Sequence, residues 1–248
     1  MKRILLLLQV LMFAEMVIGQ NEAKSIETNQ VWFDFNPRYK ISDRFTLVGK
    51  LGAKAIYPKD WYKFYTSAQV AYSIPKFMLR KLKYREKVYL GVDFYYVFFN
   101  ELPDVVEISP YQGYTLTWPN RKRLDIRHNV ELGERFQWDV QDRNYSFGLK
   151  VSYEASLTYK FHGDLWRYGK GFYLSASAKL WWNLISTTVF NDVVRITPGA
   201  GYEINPIWKI AFYIGYNYTR NLTAEKFQAN NIIYRLRVYY TIPNKHID

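Results

Sequence analysis

The chain has no cysteine among its 248 residues, which excludes disulfides, thiolate metal sites, a cysteine nucleophile and a lipid-modified N-terminal cysteine. Histidine is scarce too. Its three copies, His128, His162 and His246, are scattered, so neither a metal-ligand spacing nor a Ser/His/Asp constellation can be read from them. No uninterrupted apolar run reaches the roughly 20 residues of a membrane-spanning helix. A compact Lys/Arg block of the kind nucleic-acid binders carry is also missing, although the formal net charge is +12. No metal, cofactor, nucleic-acid partner or catalytic role is therefore expected.

Aromatic residues are abundant: 23 Tyr, 16 Phe and 8 Trp make up 19% of the chain. They fall in a period of two. From Phe147 to Phe161 the odd positions Phe147, Leu149, Val151, Tyr153, Ala155, Leu157, Tyr159 and Phe161 are apolar or aromatic, and the even positions Gly148 to Lys160 are polar or small. Successive side chains on a strand point to opposite faces, so this is one long two-faced strand. Strands of soluble domains run about five or six residues, whereas a tilted strand crossing a bilayer needs roughly 9 to 11 within hydrocarbon.

Met1 to Gly19 reads as a secretory signal, with Lys2 and Arg3 ahead of the apolar Ile4 to Ile18 and small residues before Gln20. Without Lys2, Arg3 and Glu15 the 34 basic and 22 acidic residues become 32 and 21, or +11. Residues 20–29 form a polar leader, 30–242 the strand region and 243–248 a tail. Eleven candidate strands follow one another, with short turns near Ser42-Asp43 and at Asn205-Pro206. The run from Val105 to Trp118, broken by Pro110 and Gly113, is the weakest. The faces of Val88 to Phe99 are hard to assign, and Pro75 to Lys87 fits a connection better than a helix. Single-chain bacterial barrels normally have an even number of strands with both termini in the periplasm. The expectation is therefore an all-β antiparallel transmembrane barrel of about 12 strands, or 10 if Val105 to Trp118 is not a full strand, with short periplasmic turns.

Alternation alone allows water outside a dry barrel or lipid outside a wet one. The export signal, the strand length and the many ionisable groups on the polar faces favour lipid, which also forbids open sheet edges. The expected lumen-lining residues are Asp125, Arg127, Glu131, Arg135, Lys150, Glu154, Lys179, Arg195, Glu203, Arg235 and Arg237, with Asp93 beside them. They read either as a selectivity lining or as an interlocked ion-pair network filling a narrow barrel. The expected role is a small channel or a structural or surface barrel with a charged lumen; the alternatives are an exported soluble ligand-binding barrel of lipocalin type and a barrel enzyme acting on lipid. Against the enzyme, His128 lies on the apolar face of its strand with no Ser two residues on.

Val31-Trp32, Pro110-Tyr111-Gln112-Gly113, the charged run Arg127 to Phe136, and Gly201-Tyr202 before Asn205-Pro206 resemble a family. It is the uncharacterised outer-membrane β-barrels of Bacteroidota known as domain of unknown function 2490. The resemblance covers nearly the whole mature chain. It implies a Gram-negative outer-membrane location, with lipid, lipopolysaccharide and the barrel-assembly machinery as partners, and no known activity. One departure concerns the Glu-x-Arg that closes the charged run: here Gly133-Glu134-Arg135 puts Glu134 on the apolar register. Either Glu134 sits near an interface or a bulge at Gly133 turns it inward.

Overall fold

All eleven candidate segments form strands. The computed structural model describes residues 28–57, 61–75, 85–100, 102–118, 123–161, 171–185, 192–220 and 228–244. Its elements are β1 (Thr28–Lys40), β2 (Phe45–Tyr57), β3 (Trp61–Ile74), β4 (Arg85–Phe99), β5 (Val105–Trp118), β6 (Leu124–Asp139), β7 (Tyr145–Lys160), β8 (Gly171–Asn183), β9 (Asp192–Glu203), β10 (Trp208–Arg220) and β11 (Gln228–Ile242). The expected signal segment and most of the leader, the centre of the Pro75–Lys87 connection, and His162 and His246 lie outside the described residues.

Consecutive strands pair antiparallel in chain order, and the sheet closes into a barrel. Among the described residues the barrel has eleven strands, between the ten and twelve expected. An odd number of alternating strands leaves the first and last pointing the same way, so β1 and β11 pair in parallel, in unbroken register from Thr28 to Tyr39. One expectation is corrected by this: among the described residues no candidate strand is surplus, and β1 begins and β11 ends at opposite mouths. The N-terminal mouth holds the start of β1, and the C-terminal mouth holds the end of β11. Short connections occur at both, residues 41–44 and 204–207 at the C-terminal mouth and 140–144 at the other. In the turn at 204–207, Asn205 Oδ1 accepts from the backbone N–H groups of Ile207 at 2.9 Å and Trp208 at 2.7 Å. A short polar side chain thus caps a reversal too tight for ladder bonds.

Val105 to Trp118 is a full strand of 14 residues. Pro110 still sits in register opposite Val92 of β4; only the rungs from Ser109 and Pro110 to β6 are missing, where proline has no N–H to give. In β4 the faces separate cleanly: Val88, Leu90, Val92 and Phe94 point outward, and Tyr89, Gly91, Asp93 and Tyr95 inward. Pairing between β6 and β7 runs through Gly133 without a shift, so no bulge turns Glu134 inward. It remains exposed on the outer face, two residues from the outward Phe136.

Carried once round the wall, the pairing registers return to β1 displaced by about 14 residues. With ~3.3 Å per residue and ~4.8 Å between strands, this stagger gives a strand tilt of about 41° and a backbone radius of about 11 Å. Such a barrel is wider than a filled eight-stranded one and narrower than a porin. Each residue advances about 2.5 Å along the axis at that tilt.

The outer wall has three bands. Near the C-terminal mouth aromatic rings pair across strands, Phe45 with Tyr72 at 4.9 Å, Phe172 with Tyr202 at 4.6 Å and Trp208 with Tyr240 at 4.4 Å. A second set lies near the N-terminal mouth, Phe64 with Phe98 at 5.9 Å, Phe136 with Phe147 at 5.3 Å and Trp138 with Tyr145 at 5.7 Å. Between them the outward residues are mainly aliphatic, among them Leu51, Val70, Leu90, Val130, Ile196 and Leu236, all left exposed. On a single strand the two aromatic sets stand ten to twelve residues apart, as from Tyr62 to Tyr72 or from Phe147 to Tyr159. That spacing is about 25 to 30 Å along the axis. Trp32, Tyr65, Tyr89, Tyr111 and Tyr173 are buried on the inward register of their strands.

The charged interior as candidate functional site

Parity delivers the polar residues inward, and the stagger decides which of them meet. At the closing seam, Asp34 of β1 is 0% exposed and takes both Arg235 and Arg237 of β11 on Oδ2, with Arg237 Nε at 3.2 Å. Arg237 also donates to the Tyr239 hydroxyl at 3.0 Å. Glu107 of β5 is gripped by Arg135 of β6 in a two-bond fork, Nε at 2.9 Å and Nη2 at 2.6 Å, and accepts a third bond from Ser109 at 2.7 Å. Glu131 accepts from the Tyr89 hydroxyl at 3.0 Å and faces Lys179 of β8, two strands away, at 3.6 Å. Towards the C-terminal mouth, Arg127 meets Glu154 at 3.6 Å and Ser156 at 3.2 Å, Asp125 meets Arg85 at 3.9 Å, and Glu203 pairs with Lys209. Lys150 is acted on by the like charges of Arg135 and Lys179 and the opposite ones of Glu107 and Glu131. Arg195 of β9 donates Nε to Asn217 at 2.6 Å, and its guanidinium lies 4.7 Å from the rings of both Trp32 and Trp181.

All eleven anticipated interior charges therefore face inward, and Asp93 joins them, accepting from Tyr95 at 2.9 Å. The geometry divides them. Asp34, Glu107, Glu131, Glu154 and Glu203 are in ion pairs. Lys54 and Lys63 rest on aromatic faces: Lys54 lies 4.0 Å from the Trp32 ring and 4.6 Å from Tyr65, and Lys63 lies 3.8 Å from Tyr95. Of these inward residues the nine cations Lys50, Lys54, Lys63, Lys150, Lys179, Arg135, Arg195, Arg235 and Arg237 outnumber the five acids Asp34, Asp93, Glu107, Glu131 and Glu154. The interior is a basic one.

Sequence reasoning left Asp34, Glu107, Lys54, Lys63 and Trp32 out of the expected lumen set. Their signal was present, since each falls on the even or odd positions opposite its strand's apolar set. It also missed a repeated device of the wall. Five inward glycines sit opposite a tyrosine of the next strand, Gly52 with Tyr65, Gly91 with Tyr111, Gly113 with Tyr89, Gly201 with Tyr173 and Gly199 with Tyr213. A Cβ at any of the five would run into that ring. The missing side chain lets each ring lie flat against the wall instead of reaching into the axis. The hydroxyls then bond sideways, Tyr111 to Ser67 at 3.1 Å and Tyr89 to Asn129 at 3.0 Å.

On the outer face His128 Nδ1 lies 2.7 Å from the Tyr153 hydroxyl, with the rings stacked. The pair is a hydrogen-bonded contact between neighbouring strands. No group of three His, Cys, Asp or Glu suited to a metal ion occurs among the described residues.

These features define a closed β-barrel with an apolar outer wall and a charged, tyrosine-lined interior. The chain belongs to the family described as Protein of unknown function (DUF2490), whose model matches residues 29–228. No curated protein matches it.

Proposed function

We propose that the protein is an outer-membrane β-barrel that forms a narrow, non-catalytic channel favouring small anions. The observation that carries the reading is the banded outer wall. Two aromatic belts about 25 to 30 Å apart, with aliphatic side chains between them, match the apolar band and aromatic girdles of barrels in lipid. A wall with Leu90 64% and Phe172 64% exposed would form an unusually large apolar patch in water. A lipocalin-type carrier would need the reverse arrangement, with the apolar faces inside. An export signal at residues 1–19, lipid and lipopolysaccharide around the wall, and delivery by the barrel-assembly machinery belong to the same proposal.

The flat-lying tyrosines support a channel over a filled plug, because they leave the axis to water and to the long cationic side chains. The excess of inward Lys and Arg supports preference for anions, since rings of charge set permeability at close quarters. The tests are detergent-dependent extraction, heat-modifiable gel mobility and single-channel conductance in planar bilayers. Replacing Arg127 and Arg135 with Gln should shift the reversal potential in a salt gradient towards cations. A chain that stays dispersed without amphiphile would end the membrane reading, and a folded barrel that never conducts would end the channel.

A further inference from the structure

We propose that the interior holds a binding site for a doubly charged oxyanion of the phosphate type, built by Lys54, Lys63 and Arg195 around Trp32. It rests on the reading above that water reaches the interior. The three cations come from β2, β3 and β9 and converge on one aromatic group. Lys54 Nζ is 4.0 Å from the Trp32 ring, 4.6 Å from Tyr65 and 6.0 Å from Tyr95, and Lys63 Nζ is 3.8 Å from Tyr95. Arg195 reaches the same indole from three strands away, over the short inward side chains of β10 and β11 at that level, Asn217 and Ile233.

A ring face attracts a cation but leaves its charge uncancelled. Among the described residues no carboxylate stands within 4.0 Å of any of the three cations, whereas Arg127, Arg135, Lys179 and Lys209 each reach one. The charges acting most strongly on Lys54 are Lys63, Arg235 and Arg195, opposed by Asp34, which is already shared between Arg235 and Arg237. The acids whose charge acts on Lys63 are Glu107 and Asp93; the first is held in the Arg135 fork and the second accepts from Tyr95. A surplus of positive charge therefore stays on this side of the wall, and a dianion is the species that offsets it.

Arg195 supplies the geometry. Trp32 and Trp181 each have their ring centre 4.7 Å from its guanidinium carbon, and Nε is spent on Asn217. What remains is the edge formed by the two terminal nitrogens, held in one plane, and that edge matches two oxygens of a tetrahedral anion. Trp32 lies about 10 Å inside the N-terminal mouth, from the ~2.5 Å axial advance per residue after Thr28. The site is thus set back from bulk water, where a charge-assisted pair is stronger than at a surface.

The test is calorimetric titration of the full mature chain, folded in detergent micelles, with inorganic phosphate, sulfate or chloride at constant ionic strength. Saturable binding of phosphate and sulfate with one site per chain is expected, and none of chloride. Arg195→Gln and Lys54→Gln should each weaken phosphate by about tenfold or more, the loss of one charge-assisted pair. Arg195→Lys, which keeps the charge and loses the fork, should weaken it less, and Arg44→Gln at the other mouth should leave it unchanged. Gel heat-modifiability certifies each variant as folded, and removing one of several like charges does not endanger the barrel. A folded barrel without saturable phosphate binding, or an affinity unmoved in both Arg195→Gln and Lys54→Gln, overturns the site. Because the titration needs no current, phosphate binding by a non-conducting barrel would refute the channel alone, and conductance without binding would refute the site alone.

Discussion

Replacing Asp34 with asparagine should loosen the barrel where it closes. Asp34 is the carboxylate that joins β1 to β11, and its Oδ2 takes Arg235 and Arg237 together. The substitution Asp34→Asn keeps the shape and removes the charge, leaving two guanidinium groups two residues apart on one strand face with no anion between them. Removing one partner of a buried pair costs about 3–5 kcal/mol. The arginine side chains are 17% and 23% exposed, so water recovers part of that loss and the lower end applies, about 3 kcal/mol. This is a fall of more than about a hundredfold in the folding constant. The measurement is urea unfolding of the refolded barrel in detergent micelles, followed by tryptophan fluorescence. In a double-mutant cycle, adding Arg237→Gln to Asp34→Asn should return about 1–3 kcal/mol, because the orphaned charge goes with its partner. If Asp34→Asn stays within about 1 kcal/mol of the parent, the seam does not depend on this pair and the reasoning fails.

Three further outcomes follow from the wall. Gly113→Ala would set a Cβ against the Tyr89 ring and 2.7 Å from the Val130 carbonyl oxygen, so a loss of about 1–3 kcal/mol is expected in the same unfolding assay, with Tyr89→Ala in that background restoring part of it. Glu134 points outward just inside an aromatic belt, and Glu134→Leu should stabilise the barrel in phosphatidylcholine vesicles by about 1 kcal/mol; a loss of stability there would argue for water at that face. Since the chain has no cysteine, Asn29→Cys and Pro243→Cys give single labelling sites at the two mouths. In oriented proteoliposomes an impermeant maleimide should reach them from opposite sides, and labelling of both from one side would rule out an odd strand number.

The period of two makes the strands legible, and it sorts most side chains correctly between the two faces, because parity is a property of one strand by itself. Pro110 reads as a possible break because a missing N–H is visible in the sequence, while the intact ladder on the β4 side is not. The expectation of an even strand number assumes antiparallel closure, and nothing in the alternation reveals how the first and last strands meet. Asp34, between Phe33 and Phe35, carries the right parity, but its weight comes from arginines some two hundred residues away. The glycine positions are legible only as places without a side chain. Their meaning lies in tyrosines on neighbouring strands, and register is what brings the two together.

Which interior groups share a level depends on the stagger, and the stagger depends on the closure. Trp32 meets Arg235 and Arg195 because β11 and β9 are carried round to its height by a displacement of about 14 residues. A wall of twelve strands closed antiparallel would keep every inward residue inward, yet it would set β11 away from β1 and dissolve both the Asp34 bridge and the cation group on Trp32. The seam and the oxyanion site are therefore one feature at two positions. Asp34 holds Arg235 beside Trp32, and Lys54 and Arg195 both lie against the Trp32 ring. Loosening the seam should weaken phosphate binding even though Asp34 itself repels the anion; a purely electrostatic pocket with an independent wall would bind more tightly after Asp34→Asn. The direction of that change distinguishes a site made by closure from one made by charge alone.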